Sequence, residues 1–445
     1  MIVDRANCGD RPVSGETGTG GAHPDAVDAR ASPPLRRRAR FIRQIPQRRV
    51  ATATGGWRRR VAAFGLAAGL PLLSLHRAHG EDHVAYRFEY YAEEKDRIRV
   101  STHSALFEKK LTSWLSVKGE VVYDAISGAS PTGSPPPSTI MFVPPDEGGP
   151  SGPFKNTVPT VSLEDIRRAG SFASVFSFGP HRLAPQFSYS EENDYISYGG
   201  ALNYSVDLNQ KNTTLNLGWS HNWDTILPMG FLREESDKDV DDFLIGVNQL
   251  LGPKTVLTVN FTYGRGRGYL NDQYKGVLFE NFPQGDPDFP ALAAEQRPDE
   301  RHRYIVYASL THHLTPLNAS VEGSYRYFHD SYGVDAHTIG LAWHQKIGKR
   351  VVISPVFRYY RQSAANFYVT RLPDYSTRPA YYSADYRLSE AETFTYGVVL
   401  HARAADWLGF DLGYRRYEMR GLDHITSKSA YPVANIFTIG ARIWF

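Results

Sequence analysis

Beyond about residue 80, apolar and polar residues alternate with a period of two in one stretch after another. In the last stretch apolar residues occupy every second position, and Thr438, Gly440 and Arg442 lie between them. Successive side chains of a β-strand point to opposite faces, so this pattern predicts strands with one apolar and one polar face. Alternating strands of about 10 residues are typical of barrels that face lipid outside and water inside.

The connections between these segments alternate between tight turns and longer loops, of which 126–170 and 268–301 are the longest. Outer-membrane barrels have this asymmetry, with their short turns in the periplasm. For residues 81–445 we predict an all-β fold, a transmembrane antiparallel up-and-down β-barrel of about 16 strands (roughly 14 to 18) with short periplasmic turns and long extracellular loops. The predicted strands are 84–92, 97–108, 112–125, 171–178, 181–190, 194–207, 212–223, 240–250, 254–267, 302–314, 317–329, 335–346, 350–362, 392–403, 407–419 and 435–445.

Charged residues recur on the polar face of many predicted strands. The dry core of a soluble β-sandwich could not absorb these charges, whereas a water-filled lumen could. Basic residues outnumber acidic ones in this set, which predicts a mildly positive lumen. The candidate lumen charges are Arg87, Glu89, Lys118, Glu120, Asp124, Glu322, Arg326, Arg358, Arg403, Asp411, Arg415 and Arg442.

The first 80 residues differ from the rest of the chain. Residues 1–56 are rich in Arg, Pro, Gly and Ala without apolar periodicity, which predicts a disordered extension. Residues 57–80 have the order of a signal peptide: a basic start, an apolar stretch over 61–75 and small residues before a cleavage site after Gly80. The alternative, a membrane anchor, needs about 20 apolar residues. Because this signal lies well inside the chain, we expect translation to start downstream of Met1.

The positive charge of the chain comes from this leader. The first 80 residues hold 14 Arg and 5 acidic residues, which leaves 36 basic and 42 acidic residues in 81–445. The basic pI is therefore no indication of nucleic-acid binding. Cys8 also lies in the leader, and a mature chain without Cys suits an oxidising periplasm. These features predict export to the outer membrane of a Gram-negative bacterium.

The C-terminal strand ends in Phe, as does the signal by which the outer-membrane assembly machinery recognises its clients. The residues of this predicted assembly signal are Phe437, Ile439, Ile443 and Phe445. We therefore expect the barrel assembly machinery as one partner, and outer-membrane lipid and lipopolysaccharide as the surroundings of the folded barrel. No nucleic-acid partner is expected, and the sequence leaves homo-oligomerisation open.

Two stretches resemble a known family: Ser188–Ser197, which reads SYSEENDYIS, and Asn209–Leu215, which reads NQKNTTL. They are similar to domain-of-unknown-function family 3570, a set of uncharacterised bacterial proteins regarded as outer-membrane barrels. The resemblance covers roughly residues 80–445. It implies a barrel in the outer membrane. Because the family has no established activity, the resemblance implies no reaction and no ligand.

One acidic stretch has the spacing of a calcium loop, with Asp237, Asp239 and Asp241 at alternate positions. Such a loop needs Gly at its sixth position and a bidentate Glu at its twelfth, where this chain has Asp242 and Asn248. We interpret the stretch as a solvated acidic loop and predict no metal site in it.

A second acidic group, Glu191, Glu192 and Asp194, lies in a predicted tight extracellular turn. Paired carboxylates can bind divalent cations or serve acid–base chemistry. The neighbouring Tyr189 and Tyr195 favour the simpler interpretation of a turn at the membrane interface.

The favoured function is a passive or weakly selective pore for small polar solutes, because about sixteen strands enclose an aqueous lumen unless loops plug it. No cofactor or catalytic residue is predicted, and the Pro-rich loop 126–170 is the expected constriction. Two alternatives stay open. One is a self-plugged structural or partner-binding barrel. The other is an outer-membrane hydrolase, which would need Ser or Asp beside a histidine such as His313 or His401.

The C-terminal signal leads to a first prediction. Phe445→Ser should strongly lower the amount of assembled protein in the outer membrane, because it removes the terminal aromatic residue that the assembly machinery recognises. Cys8→Ser, in the predicted leader, should change nothing. Heat-dependent gel mobility of outer-membrane fractions measures both. Normal assembly of the Phe445→Ser protein would contradict the proposed signal.

Overall fold

The computed structural model describes residues 82–95, 97–133, 160–282 and 292–445. The predicted disordered extension 1–56 and signal peptide 57–80 lie outside the described residues, as do the middle of the predicted loop 126–170 and residues 283–291. No helix in the described ranges is long and apolar enough to cross a membrane.

Almost all regular structure in the described residues is β. Four single turns of 3-10 helix occur in connections, at Asn209–Lys211, Thr315–Leu317, Tyr386–Leu388 and Lys428–Ala430. The strands are β1 (His83–Glu93), β2 (Arg99–Lys110), β3 (Leu115–Pro131), β4 (Thr160–Phe178), β5 (His181–Glu191), β6 (Tyr195–Leu208), β7 (Thr213–Ile226), β8 (Ser236–Gly252), β9 (Thr255–Gly268), β10 (Gly276–Asn281), β11 (Leu292–Ala294), β12 (Glu300–Leu314), β13 (Ala319–Asp330), β14 (Asp335–Ile347), β15 (Val351–Gln362), β16 (Arg371–Asp374), β17 (Ala391–Ala405), β18 (Leu408–Gly421) and β19 (Val433–Trp444).

Sixteen strands close into one antiparallel barrel. Its order is β1 to β9, then β12 to β15, then β17 to β19, and β19 pairs with β1. In the closing pair, Val84 lies opposite Ile443 and Tyr86 opposite Ala441. Closure leaves no strand edge whose unpaired N–H and C=O groups would face lipid. The predicted fold class, an up-and-down barrel of sixteen antiparallel strands, is confirmed.

The strand register places the apolar faces outside. Phe437, Ile439 and Ile443 are 49%, 56% and 46% exposed, although each lies in the middle or end of a fully paired strand. Leu412 on the neighbouring strand is 55% exposed. Exposed large apolar side chains on strand after strand form a continuous apolar outer surface, which is stable only where water is excluded.

The connections are short at one end of the barrel and long at the other. At the short end, Gly179 and Pro180 alone join β4 to β5, and Gly179 adopts φ 59, a left-handed conformation that favours glycine. The three longest described connections, after β9, β15 and β18, all leave the opposite end. This agrees with the predicted alternation of turns and loops.

Two hairpins extend further than the alternation predicts. β3 and β4 stay paired as far as Pro131↔Thr160, so both ends of the predicted loop 126–170 are strand. β7 and β8 likewise pair as far as Ile226↔Ser236. Lipid no longer imposes an apolar outer face on these distal segments, so their sequences lose the period of two while the backbone stays paired.

A second, smaller sheet is built from the long connections. β10 and β11 lie in the connection from β9 to β12 and pair antiparallel, with Val277 opposite Ala293. β16 lies in the connection from β15 to β17 and pairs with β10 in parallel, with Phe279 opposite Leu372. We call these two connections, residues 269–282, 292–299 and 363–390, the cap. The sequence analysis did not predict this sheet.

The hydrophobic core lies at the long-loop end rather than inside the barrel. Val277 and Phe279 of β10 are fully buried and pack against Tyr382 and Ala384. A second cluster joins cap residues to Tyr332, in the connection from β13 to β14. The buried apolar clusters among the described residues therefore lie where the cap packs against neighbouring connections and strand ends.

Close backbone approach in the wall generates a second prediction. A Cβ on Gly397 of β17 would lie 2.0 Å from the Tyr414 carbonyl oxygen of β18, so Gly397→Ala must displace the pairing. We expect a loss of about 1–3 kcal/mol, measured as a lower temperature of conversion from the folded to the unfolded gel band. Gly252→Ala, where a Cβ meets nothing within 4 Å, is the control. Equal stability of the two variants would contradict the pairing.

Candidate functional site

The cap crosses the mouth of the barrel. Lys275, seven residues after the end of β9, donates from Nζ to Ser130 Oγ at 3.1 Å and to the Pro131 carbonyl oxygen. Both partners lie at the end of β3, six strands away from β9 around the barrel. Lys275 is 2% exposed. The connection that leaves β9 is therefore anchored on the far side of the wall.

Two arginines and three carboxylates form a buried charge network inside the cap. Arg387 Nε donates to both carboxylate oxygens of Asp385 at 2.9 Å, and its terminal nitrogen contacts Asp272. Arg297 donates to Asp385 Oδ2 at 2.9 Å and to Glu295 Oε2 at 3.0 Å. Asp272, Glu295 and Arg297 belong to one connection and Asp385 and Arg387 to the other, so the network holds the two halves of the cap together.

Two arginines favour the ionised form of the central carboxylate of this network. Burial opposes its charge, but Arg387 and Arg297 outweigh burial and hold the pKa of Asp385 well below its usual range. Burial raises the pKa of Glu295 and lowers that of Lys275. Removing one partner of such a buried pair costs about 3–5 kcal/mol, because the other charge is left without compensation. The cap therefore depends on Asp385.

Below the cap, charged side chains on the wall pair along and across strands. A side-chain nitrogen of Arg87 lies 2.7 Å from a carboxylate oxygen of Glu89, and Lys118 Nζ lies 2.8 Å from a carboxylate oxygen of Glu108. Arg182 makes a bidentate pair with Asp207 at 2.7 and 2.8 Å. The side chains of Arg87 and Lys118 remain 43% and 44% exposed, whereas that of Asp385 is 1% exposed. Arg87 and Lys118 thus face open space, whereas Asp385 does not.

The register assigns the predicted lumen charges to one face. Arg87 and Asp411 both lie opposite Gly440, from its two sides, and Arg403 and Arg442 both lie opposite Gly409. Since side chains alternate along each strand, following this parity around the barrel fixes the whole set. The residues on this inward face include Arg87, Glu89, Lys118, Glu120, Asp124, Glu322, Arg326, Arg358, Arg403, Asp411, Arg415 and Arg442.

These residues do not gather into one ring. Glu322, Arg326 and Arg358 line a common cavity of about 180 Å³. Arg403 and Arg442 instead lie 5.0 and 5.7 Å from the ring of Trp444, near the short turns. The inward charges therefore form separate groups along the wall, which weakens any single electrostatic filter.

Three histidines on the inward face have polar partners, but none of these sets forms a complete hydrolytic triad. His401 Nδ1 lies 2.5 Å from Asp411, and His313 Nδ1 lies 3.3 Å from Ser320 Oγ. A hydrolytic triad needs the hydroxyl and the acid on the same histidine. His344 comes nearest, 2.9 Å from Ser354 Oγ and 4.0 Å from Glu322. The carboxylate distance exceeds a hydrogen bond, and Ser354 is buried.

The acidic stretch that the sequence analysis compared with a calcium loop is strand rather than loop. Asp237, Asp239 and Asp241 lie in β8, and Asp241 Oδ1 is 2.7 Å from His221 Nδ1 on β7. The interpretation of this stretch as a loop was therefore wrong, because its backbone is part of a paired strand. The hairpin of β7 and β8 extends past the apolar belt, where acidic residues are tolerated on the outer face.

Sequence reasoning missed the cap network, although a local signal exists. Glu295 and Arg297, and likewise Asp385 and Arg387, stand two positions apart. In extended backbone, residues two apart share a face, so each pair can form a local ion pair. Nothing local indicates that the two pairs meet.

A family model described as "Protein of unknown function (DUF3570)" matches residues 60–429. The chain belongs to this family. The sequence resemblance based on Ser188–Ser197 and Asn209–Leu215 is thereby confirmed. Among curated proteins, none matches the DUF3570 chain.

Solved structures similar to this DUF3570 protein include a siderophore receptor, an outer membrane secretin and an outer membrane protein. The siderophore receptor PirA from Pseudomonas aeruginosa is 11% identical, with a TM-score of 0.38 over 77% of this chain and 57% of the receptor. A bacterial polysaccharide outer membrane secretin is 9% identical (TM-score 0.44; 82% and 99% covered). OmpT from Vibrio cholerae is 8% identical (TM-score 0.39; 82% and 98%). The chain thus spans little more than half of the receptor's length.

The buried network generates a third prediction. Asp385→Asn should speed amide hydrogen exchange in β10 and β16 by about 100-fold or more, since about 3 kcal/mol of local stability is lost. Glu280→Gln is the matched control on the same sheet, because its pair with Arg371 at 3.8 Å is largely exposed and contributes little. Unchanged protection of both strands in Asp385→Asn would show that the network does not hold the cap.

Proposed function

We propose that this DUF3570 protein is an outer-membrane pore for small polar solutes, whose entrance is narrowed by the cap. The observation that carries the proposal is the contrast between the two sets of charges. Wall charges such as Arg87 and Lys118 keep more than two fifths of their side-chain surface exposed, whereas the network around Asp385 is buried. A hydrated passage would account for the exposed charges of the wall, and a folded entrance would account for the buried network.

The outward face supports a membrane location. Val121, Phe261, Leu341 and Ile439 are exposed by 62%, 41%, 52% and 56% on different sides of the barrel. In water such a surface would aggregate, whereas a bilayer covers it. The long-loop end would then be extracellular and the short turns periplasmic, with lipid and lipopolysaccharide around the wall. Delivery by the barrel assembly machinery remains part of this proposal.

Weak selectivity follows from how the inward charges are arranged. Pores select ions with rings of charge of one sign, but here Arg87 neighbours Glu89, and Lys118 neighbours Glu108. At physiological salt, isolated charges are screened within about 8 Å. Because basic residues outnumber acidic ones among the lumen candidates, we expect a slight preference for anions.

The cap takes the role that the sequence analysis gave to the loop 126–170. Residues 269–282 run from β9 to the end of β3, and residues 363–390 pack on them. Loops that fold across a barrel mouth set the size of solute that can enter. Solutes would pass beside the cap or when its halves separate.

A second candidate is favoured by the same cross-barrel contacts. If the cap seals the mouth permanently, the protein is a plugged structural or partner-binding barrel. Conductance measurements distinguish the two functions, because a permanently sealed barrel carries no ionic current. A lumen hydrolase is not proposed, since the nearest serine–histidine–acid set buries its serine, Ser354.

Planar-bilayer conductance is the test and the fourth prediction. Reconstituted native protein should conduct with a weak anion preference, and Asp385→Asn should raise the single-channel conductance severalfold because the cap loosens. Glu280→Gln should conduct like the native protein. No current from either the native protein or Asp385→Asn, with both shown to be folded, would refute the pore and support the plugged barrel.

A further inference from the structure

Three carboxylates converge where the inner wall meets the cap. Asp165 lies on β4, and Glu192 and Asp194 lie in the turn from β5 to β6. Each offers an oxygen atom, and these oxygens lie within 4.8 Å of one another. We propose that Asp165, Glu192 and Asp194 form a calcium-binding site that attaches the cap to the barrel wall.

Burial makes this group different from a surface acidic patch. Asp194 is 1% exposed and Asp165 7% exposed. Asp194 Oδ1 and Asp165 Oδ2 are both enclosed and have no hydrogen-bond partner in the structure. An enclosed carboxylate oxygen without a partner is costly. A bound cation would satisfy both oxygens at once.

The other oxygens of these carboxylates are already fixed. Asp165 Oδ1 accepts from the backbone N–H groups of Ile166 at 2.8 Å and Asn193 at 3.0 Å. Asp194 Oδ2 accepts from the Tyr274 hydroxyl at 2.6 Å and from the Gln273 amide. These bonds hold the carboxylates in position, so the cluster is preorganised rather than a set of mobile side chains.

The nearby positive charge is insufficient to neutralise the cluster. Among the described residues, Arg167 is the cation in contact with it, with Nε 3.5 Å from Glu192 Oε1, and it also lies 3.4 Å from Asp124. Lys238 is already paired with Asp224 at 3.2 Å. A divalent cation would balance the remaining negative charge.

The spacing and the ligand type favour calcium. Calcium holds oxygen ligands at about 2.3–2.6 Å, so two oxygens on one ion lie at most about 5 Å apart. Magnesium dehydrates reluctantly and is usually held by one or two carboxylates and several waters, whereas three carboxylates converge here. Gln273 adds a buried carbonyl oxygen, Oε1, in the amide that contacts Asp194. All available ligands are oxygens, as calcium requires.

The position of the site allows a bound cation to strengthen the attachment of the cap to the wall. Gln273 and Tyr274 belong to the cap, and both bond to Asp194 of the wall. A cation bound to Asp194 would hold in place the carboxylate that accepts both of these hydrogen bonds. The sequence analysis interpreted Glu191, Glu192 and Asp194 together as an interfacial turn, but only Glu191 behaves so, exposed and 3.2 Å from the Tyr189 hydroxyl.

The fifth prediction tests the site by calorimetry on purified full-length protein stripped of lipopolysaccharide, titrated with CaCl₂. We expect one calcium per chain. Glu192→Gln should weaken binding at least tenfold, and Glu191→Gln, its exposed neighbour, should bind like the native protein. Asp165→Asn keeps an acceptor for the two backbone N–H groups and serves as a second variant. It should lose binding while its gel mobility stays that of the folded barrel.

Amide exchange of residues 269–282 provides a readout independent of affinity. Calcium should slow exchange there in the native protein and in Glu191→Gln, and leave it unchanged in Glu192→Gln. No calcium binding by folded native protein would overturn the site, as would an equal effect of both glutamate variants. An equal response to MgCl₂ would overturn the assignment to calcium. These outcomes are independent of whether the barrel conducts.

Discussion

The alternation of side chains along a strand is the constraint on which this structure depends. Each residue of the wall faces either lipid or lumen, and its neighbour faces the other, so apolar side chains such as Ile439 are committed to the outside. The charged groups of the wall can then occupy inward positions, and the buried apolar clusters of the described residues lie outside the wall's middle. The apolar core lies instead at the long-loop end, around Phe279 of the cap and Tyr332 beside it. A core at the mouth and a hydrated wall are two results of one constraint.

The cap is held by charge as much as by apolar packing. Asp385 joins Arg297 and Arg387 from two connections that are far apart in sequence, and Lys275 reaches β3. Buried ion networks add little net stability over an apolar core, but they fail sharply when one member is lost. Such a network therefore specifies one arrangement of two long loops, and the proposed calcium site adds a further attachment at Asp194.

The sequence was sufficient to predict the wall because lipid imposes a pattern that is local. The bounds of all sixteen barrel strands were predicted to within several residues, except where β3, β4 and β8 continue beyond the part of the wall that has an apolar outer face. The cap was not predictable in this way. β11 is three residues long and β16 four, too short for a period to emerge. The contact of Lys275 with Pro131 spans 144 residues. Alternation predicts that the twelve candidate lumen charges share one face, whereas their separation into groups depends on the barrel register.

Thiol labelling within the lumen can show whether a hydrated passage lies beneath a folded cap. The chain has a single cysteine, Cys8, so Ser324→Cys, beside Arg326 in the inward cavity, would be the one thiol in residues 82–445. Cells lacking their general porins would receive small and bulky impermeant maleimides from outside. We predict labelling by the small reagent alone with the native cap, and by both reagents once Asp385→Asn is added. Equal labelling by the bulky reagent with the native cap, or no labelling at all, would contradict a hydrated lumen beneath a folded cap.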